Sequence, residues 1–315
     1  MTAMPKNKAE LHMNSKGKPR DGKLFDVINI TLLMILLVIL LYPLYFTIIA
    51  SFSEPYQVIN GNVTFLPKGF TLESYQMAFN ETRIWAGYRN SIIYTVLGTL
   101  FNLFLTIPAG YFLSKRELPG RQVVNIYFLI TMYFSGGLIP TYLIIKNLGF
   151  IDQVYTLIIL NGISIYNLVI TRVFFQNSIP NDLYEAAFID GASDFRAFFS
   201  IALPLAKPII AVMALYYSVG HWNGYFTALI YVSKQALQPL QIVLRSILLM
   251  NETALSAIDP NVLDEEMVVA LARRAYLAYT MKYGLIFIAS APLLIAYPFV
   301  QKYFVQGAMI GSLKG

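Results

Sequence analysis

The sequence predicts an all-α polytopic membrane protein with six membrane-spanning helices, and three observations carry that reading. Of the 315 residues, 57% are hydrophobic and only 13% charged, and the mean hydropathy is +0.58. Soluble domains carry about 25% charged residues, so the shortfall points to lipid rather than to a soluble core. The charges are also clustered. They leave uncharged runs between Asp26 and Glu54, Arg89 and Lys115, Arg121 and Lys146, Asp152 and Arg172, Lys207 and Lys234, and Lys282 and Lys302. Each run holds about twenty or more largely apolar residues, enough to cross a hydrocarbon core of ~30 Å at ~1.5 Å per residue. Finally, Lys and Arg are shared unevenly between alternate connections. With the N-terminus inside, the inner segments hold fourteen and the outer segments nine, the bias of a protein with both termini in the cytoplasm.

In chain order, residues 1–25 form a polar tail carrying Lys6, Lys8, Lys16, Lys18, Arg20 and Lys23. The apolar run that follows is too long for a secretory signal and lacks a small-residue cleavage site, so 26–52 reads as a retained first span. Residues 53–88 form an extracellular loop with Pro55, Gly61, Pro67 and Gly69, and with a short helix near Leu72–Phe79. Residues 89–305 hold the other five spans. Within them lie a cytoplasmic loop at 178–204 and an extracellular segment at 234–281, and residues 306–315 form a cytoplasmic tail. In the extracellular segment, Leu240–Met250 and Glu265–Tyr279 read as helices lying at the interface or capping the outer mouth. Asn251–Leu263, with Pro260, reads as a loop. Several spans contain breakers: Pro108 and Gly110 in the second, Ser135-Gly136-Gly137 and Pro140 in the third, Pro292 and Pro298 in the sixth. Such breaks suit either a pathway lining or a packing kink.

Composition excludes several chemistries. With no cysteine there is no disulfide or thiolate metal site. The two histidines, His12 and His221, leave no histidine metal cluster. The net charge of +6 is read as basic cytoplasmic loops, not as a nucleic-acid surface. No span contains a histidine cluster or an acidic pair, which argues against an intramembrane enzyme, and no catalytic residue is assigned. An ion-coupled secondary transporter is the alternative to weigh. That class usually keeps Asp, Glu, Lys or Arg inside its helices, whereas these spans are charge-free.

The cytoplasmic loop has its own grammar. Pro180 suits a first helical turn, and Asn181, Asp182 and Glu185 place polar and acidic groups near the positive helix end. Gly191 can adopt the positive φ of a residue just past a helix end. Ser193 can cap a second short helix running toward Ile201. Ala186 and Ala187 leave a shallow face that another protein can approach, and Pro204 should break the chain before the fifth span.

The series Glu185-Ala186-Ala187, Gly191, Ile201 and Leu203-Pro204 resembles, without departure, the signature loop of permease subunits of bacterial ATP-binding-cassette (ABC) importers. From about Arg89 onward the layout is similar to the carbohydrate branch, specifically to the second permease of the maltose type. Ser135-Gly136-Gly137-Leu138-Ile139-Pro140, Trp222-Asn223 and the tail from Gln301 carry that likeness. The resemblance implies a type I ABC importer fold in the bacterial plasma membrane and the import of a carbohydrate, in particular an oligosaccharide. It also implies a set of partners: a cassette ATPase dimer, a second homologous permease, an extracellular solute-binding lipoprotein and the surrounding lipid. The signature loop would be a coupling helix docked on the ATPase, with Glu185 as polar anchor, while Asp190 and Arg196 add salt bridges or remain solvated. The chain itself has no phosphate loop of the G-x-x-x-x-G-K-[ST] type, so ATP and magnesium belong to the partner and this chain binds no cofactor and no metal. Sugar contacts would come from aromatic and hydrogen-bonding side chains at membrane depth: Trp222, Asn223 and Tyr225 with His221, Asn161 and Tyr166 with Asn167, and Tyr133. The same residue types also serve helix packing and interface belts, and in the maltose system the other permease dominates sugar binding.

Overall fold

The computed structural model describes residues 20–256, 273, 276–295 and 298. The N-terminal and C-terminal tails and most of Glu265–Tyr279 lie outside the described residues. No β-strand occurs among the described residues; one antiparallel bridge joins Ser53 to Phe70. Helix α1 (Arg20–Ser51) is a single 32-residue rod. Its most apolar stretch buries no residue against the rest of the chain, as suits a helix surrounded by lipid. Its last third is tied down: Tyr42 and Tyr45 donate to the Thr64 and Phe65 carbonyls, the Phe46 ring meets Tyr283, and Ser51 Oγ meets Tyr75 OH at 2.8 Å. Two short helices follow, α2 (Pro55–Ile59) and α3 (Glu73–Asn80), the latter where the sequence suggests it.

Helix α4 (Thr82–Ser114) starts at Glu81, whose carboxylate caps the Arg83 amide and pairs with the Arg83 side chain at 2.8 Å. At 33 residues it spans about 50 Å. Pro108 lies inside it and does not interrupt it, contrary to the expectation from sequence. Proline's fixed φ is compatible with a helix, and its missing amide removes one hydrogen bond without ending α4. The third uncharged run does break where expected. Helix α5 (Arg121–Tyr133) and α6 (Leu138–Asn147) meet at 111°, because Gly137 takes φ +83 and ψ 172, outside any helix. The fourth run, predicted as one span, is α7 (Val154–Ile159) and α8 (Ile165–Ser178), parted by a turn in which Asn161 adopts φ +63.

The signature loop folds as α9 (Asn181–Ile189), α10 (Asp194–Ala197), a wide π turn (Phe198–Ala202) and α11 (Leu203–Leu205). The break before the next span falls at Ala206, not at Pro204, which is accommodated in the helical turn; the bend is 77°. The fifth run is α12 (Lys207–Trp222) and α13 (Tyr225–Tyr231), separated by Asn223 and Gly224. Helix α14 (Leu240–Ser256) extends past Met250, so the first six residues of the predicted loop Asn251–Leu263 are helical. It does not float at an interface: Leu240, Val243, Leu244 and Ile247 are buried with Trp222, Met281 and Leu285. Helix α15 (Tyr276–Ile295) closes the described bundle. Among the described residues, α1, α4 and α15 can each cross a membrane by length and composition, and the two bent pairs bring the total there to five, beside the six suggested by the uncharged runs.

Helix α4 is the spine. Its N-terminal part enters a core with α14 and α15 through Ile84. Its C-terminal part enters another, through Ile107 and Tyr111, with α8, the signature loop and α12. Whatever displaces the loop therefore acts directly on the longest helix of the core.

Candidate functional site

The signature loop is locally encoded. Pro180 takes the cap position with φ −60 and ψ 137, one place earlier than the sequence suggests. At the other end Gly191 has φ +77. The Gly191 amide donates to Phe188 O at 3.0 Å and the Ala192 amide to Ala187 O at 2.9 Å. That is the paired closure of a helix end that needs a left-handed residue. Ser193 Oγ then accepts from the Arg196 amide at 3.3 Å and starts α10. A Cβ on Gly191 would meet no atom within 4 Å, so a side chain there is opposed by backbone conformation alone. Gly191→Val is expected to cost about 1–2 kcal/mol of loop geometry and to lower ATP-driven uptake several-fold in proteoliposomes, leaving the unfolding midpoint of the membrane bundle nearly unmoved. An unchanged uptake rate would refute the need for the left-handed turn.

One face of the loop is anchored. Tyr184, Ala197 and Phe198 are buried. The Tyr111 ring on α4 lies 5.0 Å from Phe198, 5.5 Å from Phe175 of α8 and 6.0 Å from Tyr184, measured between centroids. Lys115 Nζ sits 3.1 Å from the Tyr184 ring centroid and 4.8 Å from that of Tyr111, a cation–π seat. Burial pushes the Tyr184 phenol up to about 12. Burial also lowers the Lys115 ammonium, with Glu117 and Asp194 opposing it. The opposite face is free: Glu185, Ala186, Asp190, Gly191 and Arg196 are exposed and Ala187 is half-buried. Among the described residues, no ion pair holds Glu185, Asp190 or Arg196. Around them Leu183, Phe188, Ile189, Phe195 and Phe199 are exposed as well, Ile189 by 86%. Sequence reasoning missed this apolar rim, because an apolar residue in an apolar chain signals nothing until its exposure is known. Grouped exposed apolar side chains of this kind mark a surface that a partner protein or lipid covers.

Five of the predicted polar residues line two cavities in the bundle, one holding Asn161, Asn167 and His221 and the other Trp222 and Asn223, while Tyr225 lines neither. The first, about 290 Å³, lies between α4, α7, α8, α12 and α13. Its wall holds Asn161, Asn167 and His221 from the reading above, and also Asn102, Ser164, Tyr217 and Thr227. Asn102 is fully buried. It accepts from or donates through its amide on both sides: Oδ1 lies 2.6 Å from His221 Nε2, and Nδ2 donates to the Asn161 and Gly162 carbonyls at 3.0 and 2.7 Å. Tyr217 OH meets Thr106 Oγ1 at 2.7 Å and accepts from the Ser164 amide. These bonds satisfy the backbone freed where the chain breaks between α7 and α8. An Asn deep inside the second uncharged run, twelve residues after Asn90, was the available signal for Asn102.

Trp222 and Asn223 line the second cavity, about 370 Å³, with α14 and α15. The Trp222 indole donates to Ala289 O at 3.0 Å. Tyr225 stacks under Arg245 at 5.4 Å. Tyr133 and Tyr166 line neither of these cavities; they are 78% and 58% exposed on the surface of α5 and α8.

A broken-helix membrane bundle with a free polar-and-apolar loop anchored to its spine is the architecture of a permease subunit moved by another protein. The chain belongs to the family of binding-protein-dependent transport system inner membrane components, whose model matches residues 84–309. It is 38% identical over 309 residues to protein LplC of Bacillus subtilis, covering 98% of this chain and 100% of that one. It is 37% identical over 294 residues to the polygalacturonan/rhamnogalacturonan transport system permease protein YtcP of the same organism, covering 93% and 99%. Its fold is similar to a chain in the crystal structure of a bacterial ABC transporter involved in the import of the acidic polysaccharide alginate. That likeness has a TM-score of 0.80 and 31% identity over 91% of this chain and 99% of that one. The ion-coupled alternative has no support among these relatives.

Proposed function

We propose that this chain is one of two permease subunits of an importer that moves an oligosaccharide inward, energised by a separate cassette ATPase and supplied by an extracellular binding protein. The observation that carries it is the signature loop. Its exposed face combines Glu185, Asp190 and Arg196 with an apolar rim, and its buried face grips α4 and α8 through Tyr184 and Phe198. Docked in a groove of the ATPase, α9 passes the movement of that partner to α4 as a rigid body, a familiar way of switching a packed bundle. The loop then lies in the cytoplasm with both termini, and ATP and magnesium stay on the partner. The first cavity is the sugar-facing part of the path: it is walled by amide, hydroxyl and imidazole groups with no charge, which suits hydroxyl-rich ligands. The names of the relatives support a saccharide cargo.

Glu185→Lys tests the docking. Reversing an exposed charge leaves the bundle's packing untouched, so the expected result is loss of ATPase from the purified complex with this chain still folded. Retention of the ATPase at wild-type stoichiometry would remove Glu185 from the interface.

A further inference from the structure

The second cavity differs from the first in charge. Its wall is built from one face each of two helices: Gln241, Leu244, Arg245 and Leu248 of α14 follow at helical spacing, as do Lys282, Leu285, Ile286, Ala289, Ser290 and Leu293 of α15. From Lys282 to Leu293 that face covers about 16 Å of helix. The wall thus has an apolar side, a polar group at Asn223, Gln241 and Ser290, and two cations with no carboxylate in the lining. Neither cation has a carboxylate partner in a salt bridge among the described residues. Each instead sits on aromatic rings: Arg245 over Tyr225 at 5.4 Å, Lys282 Nζ over Tyr279 at 3.5 Å and Tyr283 at 5.0 Å. Rings hold a cation in place without neutralising it, so both positive charges remain available to a ligand.

We propose that this cavity is an anion subsite on the substrate path, in which Arg245 and Lys282 receive the carboxylate of a uronate-bearing oligosaccharide. Asn223, Gln241 and Ser290 supply hydrogen bonds to its hydroxyls, and the apolar side of the wall lies against its C–H faces. The inference rests on the permease reading above and narrows it to acidic sugars. It also explains why two cations stand beside the Trp222–Asn223 break, where a neutral cargo gives them no task. Arginine offers a bidentate fork to a carboxylate and lysine a point charge.

The test uses the complete complex, with both permeases, ATPase and binding protein, in proteoliposomes. Uptake of trigalacturonate is compared with uptake of its fully methyl-esterified form, and the read-out is the ratio of the two rates. With the binding protein unchanged, R245Q/K282Q is expected to lower that ratio about tenfold, the scale of one charge-assisted contact, and R245K/K282R to recover most of it. An unchanged ratio overturns the subsite, as does a wild-type complex that imports the ester but not the acid; both outcomes leave the permease reading standing. Absence of ATP-driven uptake of either sugar overturns the subsite and leaves the permease reading, which does not depend on galacturonate. Vesicles with and without phosphatidylglycerol separate the remaining source of anions. If the double variant abolishes a dependence on anionic lipid while the acid-to-ester ratio is preserved, the pair holds a lipid phosphate and the proposal fails.

Discussion

Tyr184→Ala is expected to reduce ATP-driven uptake more than tenfold, whereas Tyr184→Phe leaves it within about twofold. The ring is buried between Tyr111 and Lys115 and links α9 to the spine. Truncating a buried aromatic costs about 3–5 kcal/mol, and here the loss falls on the joint between the loop and α4. The hydroxyl contributes little: it is buried with no hydrogen-bond partner among the described residues, and removing such a group is close to neutral. Uptake and ATP hydrolysis measured together in proteoliposomes distinguish the outcomes. In the alanine variant hydrolysis should continue with little transport. Equal loss in both variants would assign the function to the hydroxyl, and normal uptake in the alanine variant would dissolve the proposed linkage.

The second large effect is expected at Gly98. A Cβ built there would lie 2.5 Å from His221 Nε2 and overlap the ring. The ring cannot simply swing aside, because it is held by fully buried Asn102, which in turn binds the Asn161 and Gly162 carbonyls. Gly98→Val should therefore separate α4 from α12 or break that network. Overpacking costs about 1–3 kcal/mol, with ~1 kcal/mol more for each hydrogen bond lost. The expected result is a complex that assembles poorly and unfolds at lower temperature in detergent. Adding His221→Ala should recover part of the stability, a coupling that a double-mutant cycle reads directly. If the two substitutions were simply additive, the close approach at Gly98 would have no energetic weight.

The loop and the spans differ in how far each was legible from the residues alone. Gly191, Ser193 and the acidic first turn act within a few positions of themselves, so the caps of α9 and α10 follow from local chemistry. The break after Tyr133 is similarly local, since Gly137 adopts a backbone conformation that other residues resist. Pro108 and Pro204 show the limit of such signals. A proline's fixed φ is compatible with a helix, so α4 runs through Pro108 and the bend near Pro204 falls at Ala206. The turn at Asn161 had a signal, the Asn161-Gly162 dipeptide, which the apolar run around it outweighed, and it is stabilised by Asn102, 59 positions earlier.

Sequence alone determined that this is a membrane protein and that the turn between the two loop helices falls at Gly191 and Ser193. Each of these depends on composition, on charge along the chain or on spacing within a helical turn. Tertiary structure decided the rest. It paired Asn102 with His221 across 119 positions, divided the consecutive residues His221, Trp222 and Asn223 between a neutral cavity and a cationic one, and left Tyr133 and Tyr166 outside both. Which side chains face each other across a bundle depends on the rotation and tilt of whole helices. Those are set by close packing at residues such as Gly98 and Gly110, and no single segment carries that information.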